Sequence, residues 1–459
     1  MRSNRIKFVV LICSVFLIVS VFSSFGVIKA SENEYPEDVV KDYPEGTVEI
    51  YGYGQPQYLL EYYNDWLERN RDIAPNVSIE ITQTEGAADT REKITMNSVA
   101  GDYESLPDLF YSDPVNLLAL AEGDLVQKVT NFVRPLEDKM VDGALNQATI
   151  DGTVYGMPAS VRPQLIFYNK SILDKYNIDP ARMDTMQGYI DVGRELKEKS
   201  DGEVYLSYID PGHYTWRYYG RRGLMPQAEA KIWDDEGNPV IGTDPGAKLA
   251  FNTLDTMYSE GLLYKTEIFK PGLYDATNAG KIATFYIGAF WDEFLRKNCQ
   301  ETAGDWRVRP APVFEDINLR GAPVTNYWAI ANKPNGEYDG LVKKLWYDFN
   351  FDKEPREVWV KSMVEQNAPY ANPISLEMLK DEFWKKPSPF YGGQSFRKME
   401  GEGLVNGAPN LRITPQSAEA DVIISAQLER YVAGDQTIDE AIEAMQKNLE
   451  DKIGQAESF

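Results

Sequence analysis

Residues 47–81 carry the pattern that most narrows the fold. Thr47-Val48-Glu49-Ile50-Tyr51 alternates apolar and polar side chains, as a half-buried strand does. Gly52, Gly54 and Pro56 break it. From Tyr58 to Asn70, apolar residues recur at helical spacing (Leu59, Tyr62, Tyr63, Trp66, Leu67). Pro75-Asn76 ends that unit, and Val77-Ser78-Ile79-Glu80-Ile81 reads as the next strand. Strand, helix, strand implies a parallel sheet with covering helices, because parallel neighbours need a crossover between them. The chain is therefore expected to be α/β.

The alternation continues. Thr90–Ala100 and Pro114–Ala121 have helical spacing, on either side of a short buried strand at Asp108–Tyr111. Asp151–Gly156 reads as a tight hairpin, Leu165–Tyr168 as a strand and Gly188–Lys199 as a helix. A helical region over Asp244–Leu263 precedes strands at Ile282–Ile287 and Asn326–Ala331. The last third predicts helices over Gly340–Phe349, Pro355–Gln366, Ala418–Val432 and Thr437–Lys452. Thr437 and Glu440 have the spacing of a capping box. At 459 residues the chain is too long for one ordinary core.

The first 30 residues read as a secretory signal peptide. Arg2, Arg5 and Lys7 precede an almost wholly apolar stretch from Phe8 to Phe22, and Ala30 offers a small residue before Ser31. The alternative is an uncleaved anchor, since the apolar run is long enough to cross a bilayer. Residues 1–30 hold four of the 47 basic residues and no acidic ones. Without them, 43 basic residues face 71 acidic ones, a formal net charge of −28. That charge repels phosphate backbones and anionic lipid, so neither nucleic acid nor an anionic membrane surface is an expected partner. Cys13 lies in the same segment, which leaves Cys299 as a lone thiol with no disulfide partner.

Catalytic motifs are sparse. His213 is the single histidine, so a two-histidine zinc site has no second ligand. No Gly-x-Ser-x-Gly elbow and no Walker lysine motif occurs. Gly52-x-Gly54 follows a strand and precedes a helix, but Pro56 and Gln57 depart from a dinucleotide fingerprint. Asp234–Asn238 lacks the downstream glutamate of a calcium loop and reads as a polar turn. No cofactor or metal is expected. Among 71 acidic residues a carboxylate pair suited to glycoside hydrolysis always remains possible.

Several stretches, in order, resemble the extracellular solute-binding family of ABC importers, the large sugar-binding kind that includes maltose-binding protein. Leu106–Phe110 matches the family's "LPDLF" strand, and Leu120–Leu125 is similar to its "LAEKGLL" turn. Asp151–Pro158, with Phe167–Lys170 after it, resembles "DGKVYGLP" and "FYNK". Gly280–Phe285 and Gly288–Trp291 resemble "GKAAM" and "GGSW", and Ala433–Ala441 resembles "GRQTVDEAL". Asp184–Gln187 replaces the usual "TWDE" helix start, Asp421 stands near the place of a C-terminal stacking tryptophan, and the lipidation cysteine is missing.

The resemblance implies a two-lobe, periplasmic-binding-protein-like (type II) fold with a hinge and a ligand cleft between lobes. Lobe one is expected over 47–157 and 323–372, and lobe two over 158–322 and 373–459. It implies an extracytoplasmic monomer that is not an enzyme, captures a carbohydrate, most naturally an oligosaccharide, and passes it to the permease subunits of an ABC importer. A secreted carbohydrate-active enzyme and a sensor subunit that presents sugar to a membrane kinase are the competing readings.

A sugar needs polar groups for its hydroxyls and flat rings for its C–H faces. In open α/β sheets the ligand lies beyond the carboxyl ends of the strands. The expected ligand-binding residues are therefore Tyr53, Gln55 and Gln57 after the first strand, and Ser112 and Asp113 after the third. Ser160 and Arg162 follow the first crossing, and Trp216 and Tyr218 come from a tyrosine-rich segment. Phe290, Trp291 and Asp292 follow the Gly288 loop, and Tyr327 and Trp328 lie at the second crossing. Core packing is the competing reading for each. Arg162, Arg217, Arg221 and Arg222 would suit an acidic sugar, although pairing with the protein's own carboxylates is the simpler account.

Overall fold

The computed structural model describes residues 43–54, 56–352, 356–357, 359–361, 374–380 and 382–456. The expected signal peptide lies outside these residues, as does most of the expected helix Pro355–Gln366.

Eleven strands are described: β1 (Gly46–Gly52), β2 (Val77–Gln83), β3 (Leu109–Ser112), β4 (Thr149–Ile150), β5 (Thr153–Val154), β6 (Met157–Asn169), β7 (Ser207–Ile209), β8 (Leu263–Lys265), β9 (Thr284–Gly288), β10 (Trp306–Pro310) and β11 (Pro323–Ala329). β1 runs parallel to both β2 and β3, as the strand-helix-strand pattern requires. Val48 and Ile50, the inward set of β1, are fully buried. Asp108 fastens this edge: its carboxylate accepts from the Glu49 amide at 2.8 Å and pairs with Lys333 at 2.7 Å.

The long strand β6 joins two groups of strands. From Met157 to Pro163 it pairs antiparallel with β11, which in turn pairs with β3. From Gln164 onward it pairs with β9, and from Leu165 with β10. The first group is thus β2-β1-β3-β11 with the start of β6. The second is the end of β6 with β9 and β10, while β7 pairs in parallel with β8 nearby.

Local chemistry sets most element ends. Asp113 caps the helix Pro114–Glu122 by accepting from the Asn116 amide at 3.0 Å, with Pro114 in the first turn. Thr185 caps Met186–Lys199, so the unusual Asp184–Gln187 start still opens a helix. Thr437 and Glu440 form the capping box of Ile438–Lys452. Asp151 and Gly152, with φ of 46° and 77°, make the two-residue turn between β4 and β5. The Asp234 carboxylate is used within its own turn, accepting from the Asn238 amide at 2.7 Å.

One local expectation is corrected, and one segment left unassigned by the sequence takes a definite form. The helix expected to reach Leu263 ends at Ser259, because Gly261 turns left-handed (φ 68°) and Leu263–Lys265 joins β7 as a strand. The tyrosine-rich segment is a π-helix over Thr215–Leu224, which periodicity does not predict.

Candidate ligand-binding site

A cavity of about 410 Å³ opens beyond the carboxyl ends of β1 and β2, between side chains of both strand groups. From the first group come Tyr53, Tyr111, Asn326 and Trp328, and from β6 come Ser160 and Arg162. From the second come Tyr214, Arg217, Tyr218, Phe269, Phe290 and Phe294. A smaller cavity of about 230 Å³ shares Arg217, Arg222 and Val324 with it and is also lined by His213, Trp216 and Asp421.

Strand alternation decides which side chains reach the space. Tyr111 pairs with Trp328, and Ser112 with Tyr327. Successive side chains point to opposite faces, and the first pair faces the cavity. The second pair is corrected accordingly. Ser112 and Tyr327 are buried and absent from the lining, Tyr327 donating its hydroxyl to the Ala144 carbonyl at 2.8 Å. On β6 and β11, Arg162 stands opposite Val324 and Ser160 opposite Asn326, so all four share the cavity face.

Helical spacing makes the same choice at Trp291–Asn298. Phe290, Glu293 and Phe294 lie three and four residues apart and line the cavity. Trp291 and Asp292 turn away from it. Trp291 is fully buried behind the wall, its ring 4.9 Å from Phe285 and 5.9 Å from Phe269. Asp292 pairs with Arg296 at 2.8 Å and accepts the Tyr391 hydroxyl at 2.6 Å. Trp216 points its indole N–H at Asp421 (2.8 Å) and lines only the smaller cavity. Gln55 and the Gln57 side chain lie outside the described residues.

The aromatic walls are two clusters. Tyr53, Tyr111 and Trp328 form one, with ring centroids 4.8 and 4.9 Å apart. Tyr214, Tyr218 and Phe290 form the other, at 5.6 and 5.3 Å. Between such flat apolar surfaces, buried polar atoms stand without a hydrogen-bond partner among the described residues. They are Tyr53 Oη, Arg162 Nε, Arg217 Nε and Asn326 Oδ1. Burying a polar atom unpaired is costly, so these atoms mark where a polar ligand would repay the desolvation.

Electrostatics joins the two groups at one point. Arg217 reaches the Asp113 carboxylate at 2.9 Å, and Arg222 stands 3.9 Å from the same oxygen. Burial pushes the Asp113 pKa up, but Arg217, Arg222 and the Asn116 hydrogen bonds outweigh it and hold the carboxyl below its ordinary value. At Arg222, burial and then the neighbouring Arg217 lower the pKa despite Asp113. Arg221 is paired with Asp421 at 2.8 Å. Burial, and next Arg217, lower the His213 pKa.

Lining residues such as Tyr111, Tyr214, Phe269, Phe294 and Asn326 are not among those expected from the sequence. For Asn326 a signal was present: it lies two residues along β11 from Val324 and from Trp328, which line the same cavity.

Two strand groups bridged by β6, with a cavity lined from both, define the two-lobe binding-protein fold. The chain belongs to the family described as bacterial extracellular solute-binding protein, whose model matches residues 67–335. An arabinooligosaccharide-binding protein of Halalkalibacterium halodurans is 24% identical over 267 residues, covering 52% of this chain and 56% of that protein. A lactose-binding protein of Rhizobium radiobacter is 21% identical over 410 residues, covering 87% and 91%. Among solved structures, the ABC transporter associated binding protein from B. animalis subsp. lactis in complex with beta-1,6-galactobiose superposes with a TM-score of 0.73. It is 18% identical and covers 89% of this chain and 97% of that one. All three of these relatives are binding proteins.

Proposed function

We propose that this chain captures a carbohydrate in the 410 Å³ cavity and delivers it to the membrane permease of an ABC importer. The observation that carries the reading is the cavity lining. Two aromatic clusters supply faces for sugar rings, and four unpartnered polar atoms supply hydrogen bonds for hydroxyls. The volume fits a small oligosaccharide. The sugar ligands printed for its relatives support the same class.

The lobes are residues 47–157 with 323–372, and 158–322 with 373–459. Ligand contacts to both lobes exist together only when they approach, so ligand favours the closed arrangement. The chain acts as an exported monomer without catalysis of its own. The test is calorimetric titration with a panel of neutral and acidic oligosaccharides, with each sugar analysed afterwards. Saturable one-site binding with the sugar recovered intact is expected. Cleaved sugar would convert the reading to an enzyme, and a silent panel would remove carbohydrate as the ligand class.

A further inference from the structure

Of the four arginines near the cavity, Arg217 and Arg221 are held by the protein's own carboxylates at 2.9 and 2.8 Å. The other two are not held in this way. Arg162 lines the cavity with its Nε buried and unpartnered, and among the described residues it forms no ion pair. Arg222 lines the same cavity, and its nearest carboxylate oxygen, 3.9 Å away, already serves Arg217. Arg162, the Glu293 carboxylate and then Arg222 all act on the Tyr111 hydroxyl, and all four residues line the same cavity. Two carboxylates also line the cavity. Glu85 is exposed and solvated, while Glu293 lies on the helix beside Phe290 and Phe294.

Arg217 and Arg222 share the one Asp113 carboxylate, and Arg162 forms no ion pair among the described residues, so this wall carries positive charge that the protein's own carboxylates do not match one for one. A guanidinium matches a carboxylate in a way that a hydroxyl does not, through paired charge-assisted hydrogen bonds. We propose that the ligand is an acidic carbohydrate, an oligosaccharide carrying a uronate carboxylate, which Arg162 and Arg222 receive beside Tyr111. This rests on the carbohydrate reading above and narrows it.

The test titrates the protein with galacturonate, glucuronate and mannuronate di- and trisaccharides and with the carboxyl-reduced counterpart of each. At least one uronide should bind about ten-fold or more tighter than its reduced counterpart, and added salt should narrow the gap. Arg162→Gln and Arg222→Gln should each shrink that ratio several-fold, with Arg162→Lys restoring part of it. Circular dichroism and the melting temperature establish that each variant is folded. If reduced sugars bind as tightly as the uronides, this inference is overturned and sugar capture stands. If neither series binds but a neutral oligosaccharide of the wider panel does, this inference is overturned and sugar capture stands; if nothing in that panel binds, the carbohydrate reading falls and takes this inference with it.

Discussion

Arg217 and Asp113 meet across the cavity, with Nη2 2.9 Å from Oδ2. Asp113 ends β3 and caps the helix that follows, whereas Arg217 sits in the π-helical segment of the second strand group. One ion pair therefore ties an element of the first strand group to one of the second, beside two cavities, both lined by Arg217 and the smaller also by Asp113.

Asp113→Asn should lower the unfolding free energy by about 2 kcal/mol, read by urea denaturation at pH 7. Breaking a buried pair costs about 3–5 kcal/mol, and the 24% exposure of the Arg217 side chain discounts that figure. The pH dependence has a definite sign. The folded Asp113 pKa lies below the unfolded value of about 3.9, so the stabilisation is present above that pH and is lost as the pH falls through the folded value. Wild type and variant should converge in strong acid.

Phe290 and Trp291 are neighbours with opposite roles. Phe290→Ala should weaken ligand binding about ten-fold or more, because it removes a ring from the cavity wall. Trp291→Ala should instead cost about 3–5 kcal/mol of stability, since that indole is fully buried. Calorimetry and thermal unfolding of both variants separate the two effects. Equal loss of affinity at matched stability would show that Trp291 belongs to the site.

His213 is the single histidine and gives one imidazole resonance in a proton NMR titration. Burial, and then Arg217, lower its pKa, so the midpoint should fall below about 6.5. Because the unfolded chain binds the proton more readily, this group makes stability rise with pH through that range. A midpoint above 6.5 would contradict the described surroundings.

Burial, and next Glu301, push the Cys299 thiol up to about 12. Its thiolate is thus scarce at pH 8. Iodoacetamide should leave the Cys299 peptide unmodified in the native protein and label it fully in denaturant, as read by mass spectrometry of a digest.

Much of the α/β order was legible in the sequence because it rests on local rules. Alternation at Thr47–Tyr51, the cap at Thr437, and the Asp151-Gly152 turn each act within a few residues. The site was only partly legible. Of the residues proposed to bind ligand, Tyr53, Ser160, Arg162, Tyr218, Phe290 and Trp328 line the large cavity, and Asp113 and Trp216 line the small one. Ser112, Trp291, Asp292 and Tyr327 do not, although each adjoins a residue that does. A shift of one position in a strand reverses the face, and the linear sequence does not say which face is covered.

By itself, the sequence determined the class of elements, their order, and the likeness to a family, since these follow from periodicity, capping and motif order. Only the tertiary structure decided which arginines pair closely with Asp113 and Asp421. Those pairings join residues about 100 to 200 positions apart, and charge compensation depends on distance in space, not on separation along the chain.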